Sequence, residues 1–85
     1  MREIVLAGRF KRDYKALSSE HKLRVQTAIN DLSSAKDPRA VGVRKRGPMS
    51  ELFAHEIGQD VRILYYVEGD TVTLLRVGTH KRVYQ

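Results

Sequence analysis

The sequence contains no cysteine, and this absence excludes two kinds of structure. A chain without cysteine can form neither a disulfide framework nor a metal site built from thiolates. No apolar run approaches the roughly 18 residues that a membrane-spanning helix needs. The first residues, MREIVLAGRFKRDY, hold only four consecutive apolar residues, too few for a secretory signal peptide. We therefore expect a cytoplasmic protein.

Chain length and charge limit the fold and the kind of partner. Eighty-five residues predict a single domain that spans residues 1–85. A chain of this size buries only about 60–65% of its unfolded surface, so a stabilising partner is plausible. The formal net charge of +6 favours a polyanion as partner, either nucleic acid or a strongly acidic protein segment. The alternative is a basic protein that is merely soluble.

The first half of the chain has the spacing of a short strand followed by two helices. EIVLAG is short and β-branched, which predicts a strand. The next two segments, RFKRDYKALSS and EHKLRVQTAINDLSSAK, repeat apolar residues at helical intervals. Ser18 and Ser19 separate these segments and offer an N-cap for the second one. The pattern predicts two helices joined as an αα-hairpin.

The second half changes to the alternation that is typical of strands. SSAKDPRAVGVRKRGP predicts an exposed loop, and ELFAHEI, VRILYYV and TVTLLRV then predict three strands joined by turns at GQD and EGD. The fold class is therefore α+β: an N-terminal strand, an αα-hairpin and a three-stranded antiparallel meander, with the helices packed on one face of the sheet. We expect the chain to leave the other face uncovered, basic and available for binding.

Three segments resemble the RelE/ParE superfamily of toxins from toxin–antitoxin pairs. They are FKRDYKAL in the first helix, RILYYV after a hairpin turn and the closing LLRVGTHKRVY, and their order resembles the superfamily over nearly the whole chain. Gly-Thr-His followed by an aromatic residue is most similar to the YafQ-like branch. The resemblance implies a RelE-like fold and a cognate antitoxin that wraps the toxin.

The resemblance leaves three functions open. RNase-type relatives cleave mRNA in the ribosomal A site, where the messenger's own 2′-hydroxyl attacks the adjacent phosphate without a metal. A ParE-like branch inhibits DNA gyrase and lacks the RNase residues, and the histidine near the end of this chain argues against that branch. The third possibility is an attenuated homologue that binds RNA or the ribosome without cleaving, because not every catalytic lysine of the RelE branch has a match here.

The resemblance places catalytic roles on four residues, each with a plainer alternative. His80 matches a catalytic position and would act as general base or general acid, since histidine titrates near neutrality. Arg62 and Arg76 would contact the phosphate or the leaving group, and Tyr84 would stack on a base. The alternatives are a surface histidine, an ion pair of Arg62 with Glu51, Glu56 or Asp60, a solvated Arg76, and packing of Tyr84 on the sheet.

Further basic residues are candidates for contact with RNA. The loop triplet Arg44, Lys45 and Arg46 and the pair Lys81 and Arg82 would bind the phosphate backbone, or grip an acidic antitoxin, or remain solvated. Weaker candidates by resemblance are His55 and Asp60, of which His55 is one position out of line unless its strand bulges. The three histidines lack metal-ligand spacing, so we expect no metal and no cofactor. Gly78 and Thr79 are predicted to turn the chain toward Arg62.

Overall fold

The sheet and the helices follow one another in the predicted order, with one strand more than predicted. The computed structural model describes residues 2–38, 42–44, 52–58 and 60–79, with backbone alone at Val43 and Arg44. The elements are β1 (Glu3–Leu6), α1 (Gly8–Lys15), α2 (Ser19–Ser34), β2 (Val43–Arg44), β3 (Leu52–Ile57), β4 (Val61–Glu68) and β5 (Thr71–Thr79). The five strands form one sheet in the order β1-β5-β4-β3-β2. The α+β prediction is confirmed.

Both predicted helices are present, although α1 is shorter than its predicted segment and ends before the serine pair, which instead marks the start of α2. α1 ends at Lys15, and Ser18 then precedes α2 in an extended conformation. The Ser18 hydroxyl accepts a hydrogen bond from the His21 amide at 3.2 Å, which satisfies one of the free donors at the start of the helix. Ser18 is therefore the N-cap, and the predicted break between the helices is confirmed.

The predicted meander is present, and glycine sets its turns. β3 pairs with β4, and β4 pairs with β5, both antiparallel. Gly69 and Asp70 form the two-residue connection between β4 and β5, and Gly69 has φ 60°. A positive φ at the first central residue alone is the geometry of a type II′ hairpin turn, which glycine adopts without steric cost.

The last strand runs further than predicted. Gly78 and Thr79 belong to β5, opposite Arg62 and Val61 of β4, so the prediction that they turn the chain is wrong. Gly78 has φ 151°, a backbone conformation that residues with a side chain rarely adopt. Glycine therefore allows β5 to continue through this position. The sequence predicted a turn here because the apolar alternation of TVTLLRV stops at Gly78, and glycine is common in turns.

Two pairings extend the sheet on either side of the meander. β1 pairs in parallel with β5, from Glu3 opposite Thr71 to Leu6 opposite Leu74. The two-residue β2 pairs antiparallel with β3, within the segment that was predicted as loop. A strand of two residues is too short to show an alternating pattern, so the sequence could not indicate it. The predicted four strands are thus five.

The helices cover one face of the sheet and enclose the core. The core comprises Phe10, Val25, Ala28 and Leu32 from the helices and Phe53, Ile57, Val61, Ile63, Tyr65, Val67, Val72, Leu74 and Val77 from the strands. On the second face of the sheet, Ala54 and Leu64 are opposite one another and each is 4% exposed. The centre of that face is therefore not bare, contrary to the prediction. Within the described residues, neither helix is long and apolar enough to cross a membrane.

Candidate active site

Arg62 lies on the second face of the sheet, where its side chain stays accessible. It is opposite Glu56 on β3 and opposite Gly78 on β5. A guanidinium nitrogen of Arg62 is 3.1 Å from Glu56 Oε1, and the two side chains are 26% and 58% exposed. One predicted alternative, an ion pair with Glu56, is therefore present. Ion pairs this exposed contribute about 0–1 kcal/mol, so a phosphate could displace the carboxylate at little cost.

Arg76 is held by a buried carboxylate rather than solvated. Its Nε is 2.7 Å from Asp13 Oδ2, and Nη2 is 3.4 Å from Oδ1. The side chains are 12% and 5% exposed, so the alternative of a solvated Arg76 is wrong. A buried charge is tolerated when it is paired and hydrogen-bonded, and here Arg76 and Asp13 are each other's partners. The contact of Arg76 with phosphate stays a prediction, now for a guanidinium with a fixed orientation.

A β-bulge sets the direction of Arg76. Leu64 is opposite Arg76, but the next residue of β4, Tyr65, is opposite Leu74, so Leu75 is an extra residue in β5. A bulge bends its strand and re-aims the neighbouring side chains. The bulge therefore accounts for an Arg76 guanidinium that reaches α1 from β5. Nothing in the alternation of TVTLLRV indicates it.

Asp13 also occupies the outer edge of β5. β1 ends at Leu6, opposite Leu74, whereas β5 continues to Thr79. The amide of Val77 donates a hydrogen bond to Asp13 Oδ2 at 3.2 Å. The carboxylate thus accepts from a strand amide where β1 no longer does, and an unpaired buried amide would be costly. Sequence reasoning missed Asp13, although an acid three residues after Phe10, on the apolar side of a helix, was a usable signal.

The structure places His55 on the other face from Arg62. β3 pairs with β4 from Leu52 to Ile57 without a shift in register, so His55 is opposite Ile63 and faces the helices. There it lines a cavity of about 280 Å³ with Arg24, Thr27 and Asp31 of α2, among others. The bulge that would have aligned His55 with the family's position is absent from this strand pair. Asp60 is exposed in the turn before β4.

Tyr65 anchors the segment that leads to β2. It is fully buried, and its hydroxyl donates a hydrogen bond to the Pro38 carbonyl at 2.7 Å. The pKa of Tyr65 is raised to about 12, mainly by burial; a hydrogen bond from the Gly42 backbone lowers it, and the negative charge of Asp37 raises it. The ring stacks on Phe53, with ring centres 5.7 Å apart. The hydrogen bond from Tyr65 holds Pro38, which precedes the segment that carries the basic triplet.

The remaining candidates lie outside the described side chains. The backbone of Arg44 is in β2, and its side chain is not described. Lys45, Arg46, His80, Lys81, Arg82 and Tyr84 lie outside the described residues, and their roles stay predictions. In the part of the chain that the structure does describe, no group of three or more histidine, aspartate or glutamate side chains is placed to hold a metal.

Sequence comparison decides the family. A family model described as the ParE-like toxin of type II bacterial toxin–antitoxin systems matches residues 4–85. The chain belongs to this family. The protein is thus a toxin of a type II toxin–antitoxin system, and the resemblance drawn from the three sequence segments is confirmed. No curated protein matches the sequence significantly.

Solved structures share the toxin's fold. YafQ from E. coli strain BL21(DE3) matches with a TM-score of 0.81 at 18% identity, covering 100% of both chains. The E. coli DinJ–YafQ toxin–antitoxin complex gives 0.77 at 17% identity, over 99% of this toxin and 98% of that chain. The intact E. coli RelBE toxin–antitoxin complex gives 0.76 at 13% identity, over 93% and 96%. At these identities the matches show the RelE/YafQ fold alone.

Proposed function

We propose that this toxin is a ribosome-dependent mRNA endoribonuclease. The observation that supports the proposal is the position of Arg62, a partly exposed cation on the second face, directly opposite Gly78. His80 follows two positions after Gly78 in the sequence. Arg62 of β4, a cation able to bind phosphate, is thus opposite the strand that leads in sequence to His80, a residue able to transfer protons at neutral pH.

The proposed reaction uses the messenger's own 2′-hydroxyl as nucleophile. The 2′-oxygen forms a bond to phosphorus, and the bond from phosphorus to the 5′-oxygen breaks. A base takes the proton of the 2′-hydroxyl, and an acid gives a proton to the leaving 5′-oxygen. The products are a 2′,3′-cyclic phosphate and a 5′-hydroxyl. His80 performs one of the two proton transfers.

The cations act on the charge that develops at phosphorus. Arg62 releases Glu56 and donates to the non-bridging phosphate oxygens, because a guanidinium binds phosphate through a pair of hydrogen bonds. Arg76, held by Asp13, presents a second positive charge to the phosphate or to the leaving oxygen. Fixed donors of this kind stabilise a transition state without reorganising. Tyr84 stacks on a base beside the cleaved bond and holds the nucleotide in place.

The other basic residues hold the RNA and the ribosome. Arg44, Lys45, Arg46, Lys81 and Arg82 contact phosphates without reading sequence, and this binding weakens as salt increases. The net charge of +6 supports the assignment, as does the anchoring of the preceding segment by Tyr65. All steps are proposed to occur in the cytoplasm, where translating ribosomes are found.

The proposed protein partner is a cognate antitoxin. The structures of YafQ with DinJ and of the RelBE complex are described as toxin–antitoxin complexes. For this toxin we infer a short acidic antitoxin that covers the basic surface and excludes the mRNA. Such an interface is steered by complementary charge, so its association slows as salt increases.

The test of the proposed function compares mRNA cleavage with and without ribosomes. In a reconstituted translation reaction, we expect the wild-type toxin to cut mRNA when ribosomes translate it and to leave the same mRNA intact without them. Arg62→Gln and His80→Ala should abolish cutting. Arg24→Gln is the matched control, because Arg24 also forms an ion pair with a surface glutamate, at 2.9 Å on α2. Intact mRNA together with inhibition of gyrase supercoiling would contradict the proposal and favour a ParE-like inhibitor.

A further inference from the structure

A charged cavity lies between α1 and the outer edge of β5. Its volume is about 190 Å³, and its lining residues are Arg9, Arg12, Asp13 and Arg76. It is separate from the Arg62–Glu56 pair, which lies one strand further into the sheet. Among the residues that the structure describes, the side chains that line it are all charged. Neither Arg9 nor Arg12 is among the site residues predicted from the sequence.

The cavity has an excess of positive charge. Three guanidinium groups surround one carboxylate, and Asp13 already accepts two hydrogen bonds from Arg76 and one from the Val77 amide. Arg9 and Arg12 are exposed, and they form no ion pair with any residue that the structure describes. Two cations are therefore available at the rim of a cavity whose floor is a fixed ion pair.

The helix presents these two arginines toward β5 and its lysines elsewhere. With about 100° of rotation per residue, Arg9 and Arg12 lie on one side of the row formed by Phe10 and Asp13. Lys11 and Lys15 lie on the other side of that row, and neither lines the cavity. α1 therefore carries two pairs of basic residues that are alike in charge and exposure but differ in position. This difference allows a matched comparison.

We propose that Arg9 and Arg12, at the rim of this cavity, bind a phosphate group of the RNA backbone outside the bond that is cut, beside the phosphate that Arg76 contacts. A guanidinium group binds a phosphate through two parallel hydrogen bonds to its oxygens, and single-stranded RNA offers a phosphate at each nucleotide. Arginine clusters also bind acidic peptides, so a protein ligand is an outcome of the test, and RNA is favoured here because the proposed function supplies it. The inference deepens the proposed function, since it takes RNA as the ligand, and it adds Arg9 and Arg12 to the surface that holds the strand.

The experiment measures binding with an RNA that cannot be cut. A short, fluorescently labelled 2′-O-methyl RNA lacks the 2′-hydroxyl nucleophile, so fluorescence anisotropy reports affinity for the full-length toxin independently of catalysis. We expect Arg9→Gln/Arg12→Gln to raise the dissociation constant about tenfold and to reduce the salt dependence by about 0.7 in log–log slope for each lost phosphate contact. Lys11→Gln/Lys15→Gln should raise it less than about threefold.

Each other outcome overturns the inference. Equal losses in the two double variants would show that general charge rather than the cavity binds RNA, and an unchanged affinity in Arg9→Gln/Arg12→Gln would show that the cavity does not participate. Competition by inorganic phosphate as effective as by RNA would indicate a site for the free anion. Preferential displacement of the RNA by polyglutamate, dependent on Arg9 and Arg12, would indicate a protein ligand.

The same measurement separates this inference from the proposed function. Wild-type toxin that binds the 2′-O-methyl RNA through Arg9 and Arg12 but leaves translated mRNA intact would support the cavity and refute the nuclease. Toxin that cuts mRNA while the Arg9→Gln/Arg12→Gln variant binds RNA normally would do the reverse. Both arginines are exposed, and we expect thermal unfolding of the double variant to match that of the wild type.

Discussion

Asp13 and Arg76 are 63 positions apart in the sequence and form a two-point ion pair, with contacts of 2.7 Å and 3.4 Å. The pair joins the first helix to the last strand beyond the point where β1 ends. The same carboxylate also accepts a hydrogen bond from the Val77 amide. Asp13 therefore fixes the Arg76 side chain and the backbone of β5 just before the segment that carries His80. The stability of this strand and the proposed chemistry are therefore linked through one aspartate.

Removal of the Asp13 carboxylate should be strongly destabilising. We expect Asp13→Ala to lower the free energy of unfolding by about 3–5 kcal/mol, because Arg76 is left as a buried, unpaired charge. Asp13→Asn should cost less, since the amide oxygen can still accept from Val77. Urea denaturation measures both, with Asp31→Ala, at an exposed residue of α2, as the control. Equal losses for Asp13→Ala and Asp31→Ala would contradict the structural role of the pair.

Tyr65→Phe should weaken the fold modestly at neutral pH. The substitution removes the donor to the Pro38 carbonyl, and the expected loss is about 1 kcal/mol. Thermal or urea unfolding measures the loss. Tyr66→Phe is the control, because that neighbouring ring is only half-buried on the second face. A Tyr65→Phe variant as stable as the Tyr66→Phe variant would show that the hydroxyl anchor is unimportant.

The same residue predicts how stability depends on alkaline pH. The folded-state pKa of Tyr65 is raised to about 12, whereas an unfolded tyrosine has a pKa of about 10. The contribution is complete below pH 10, and it is lost between about pH 10 and 12, where the unfolded state releases a proton that the folded state retains. The loss should reach roughly 2–3 kcal/mol. It appears as the difference between wild type and Tyr65→Phe, and parallel pH profiles would contradict it.

Glu56 and Arg62 should have opposite effects on mRNA cleavage, although they form one ion pair. Arg62→Gln removes the donor to the phosphate and should lower the cleavage rate about 100-fold or more. Glu56→Gln removes a competing anion and should leave the rate unchanged or higher. The rate is measured on translating ribosomes under single-turnover conditions. A large loss in Glu56→Gln would mean that the pair itself, rather than a free Arg62, is required.

His55 should be dispensable for cleavage because it faces the helices. We expect His55→Gln to cut mRNA at the wild-type rate, whatever its effect on the packing of α2 against β3. The comparison with His80→Gln in the same assay separates the two histidines. Loss of cleavage in a folded His55→Gln variant would show that the cavity beside α2 contributes to the reaction.

Local patterns in the sequence are sufficient for most of the fold. The helical spacing around Phe10, the serine break at Ser18 and the alternation in VRILYYV each reflect interactions with near neighbours, and each prediction is confirmed. The family resemblance added the position of Arg62, which the register places on the accessible second face.

Interactions between distant parts of the chain account for what the sequence did not predict. The bulge at Leu75 depends on the pairing of two strands, and the partner of Arg76 is a helix residue from the other end of the chain. The continuation of β5 through Gly78 likewise depends on β4, because glycine and threonine alone indicate a turn. The side of the sheet that His55 occupies followed only from the unbroken register of β3 and β4.

The ends of the cut mRNA test the central claim most directly. Attack by the 2′-hydroxyl requires a 2′,3′-cyclic phosphate, or its opened 2′- or 3′-monophosphate, on one fragment and a 5′-hydroxyl on the other, and end-specific ligation of ribosome-bound fragments distinguishes these groups. We predict 5′-hydroxyl ends produced by the wild-type toxin, absent with Arg62→Gln, and absent when the nucleotide 5′ to the cut carries a 2′-deoxy sugar. Fragments with 5′-phosphate ends, or undiminished cutting at the 2′-deoxy nucleotide, would contradict the account.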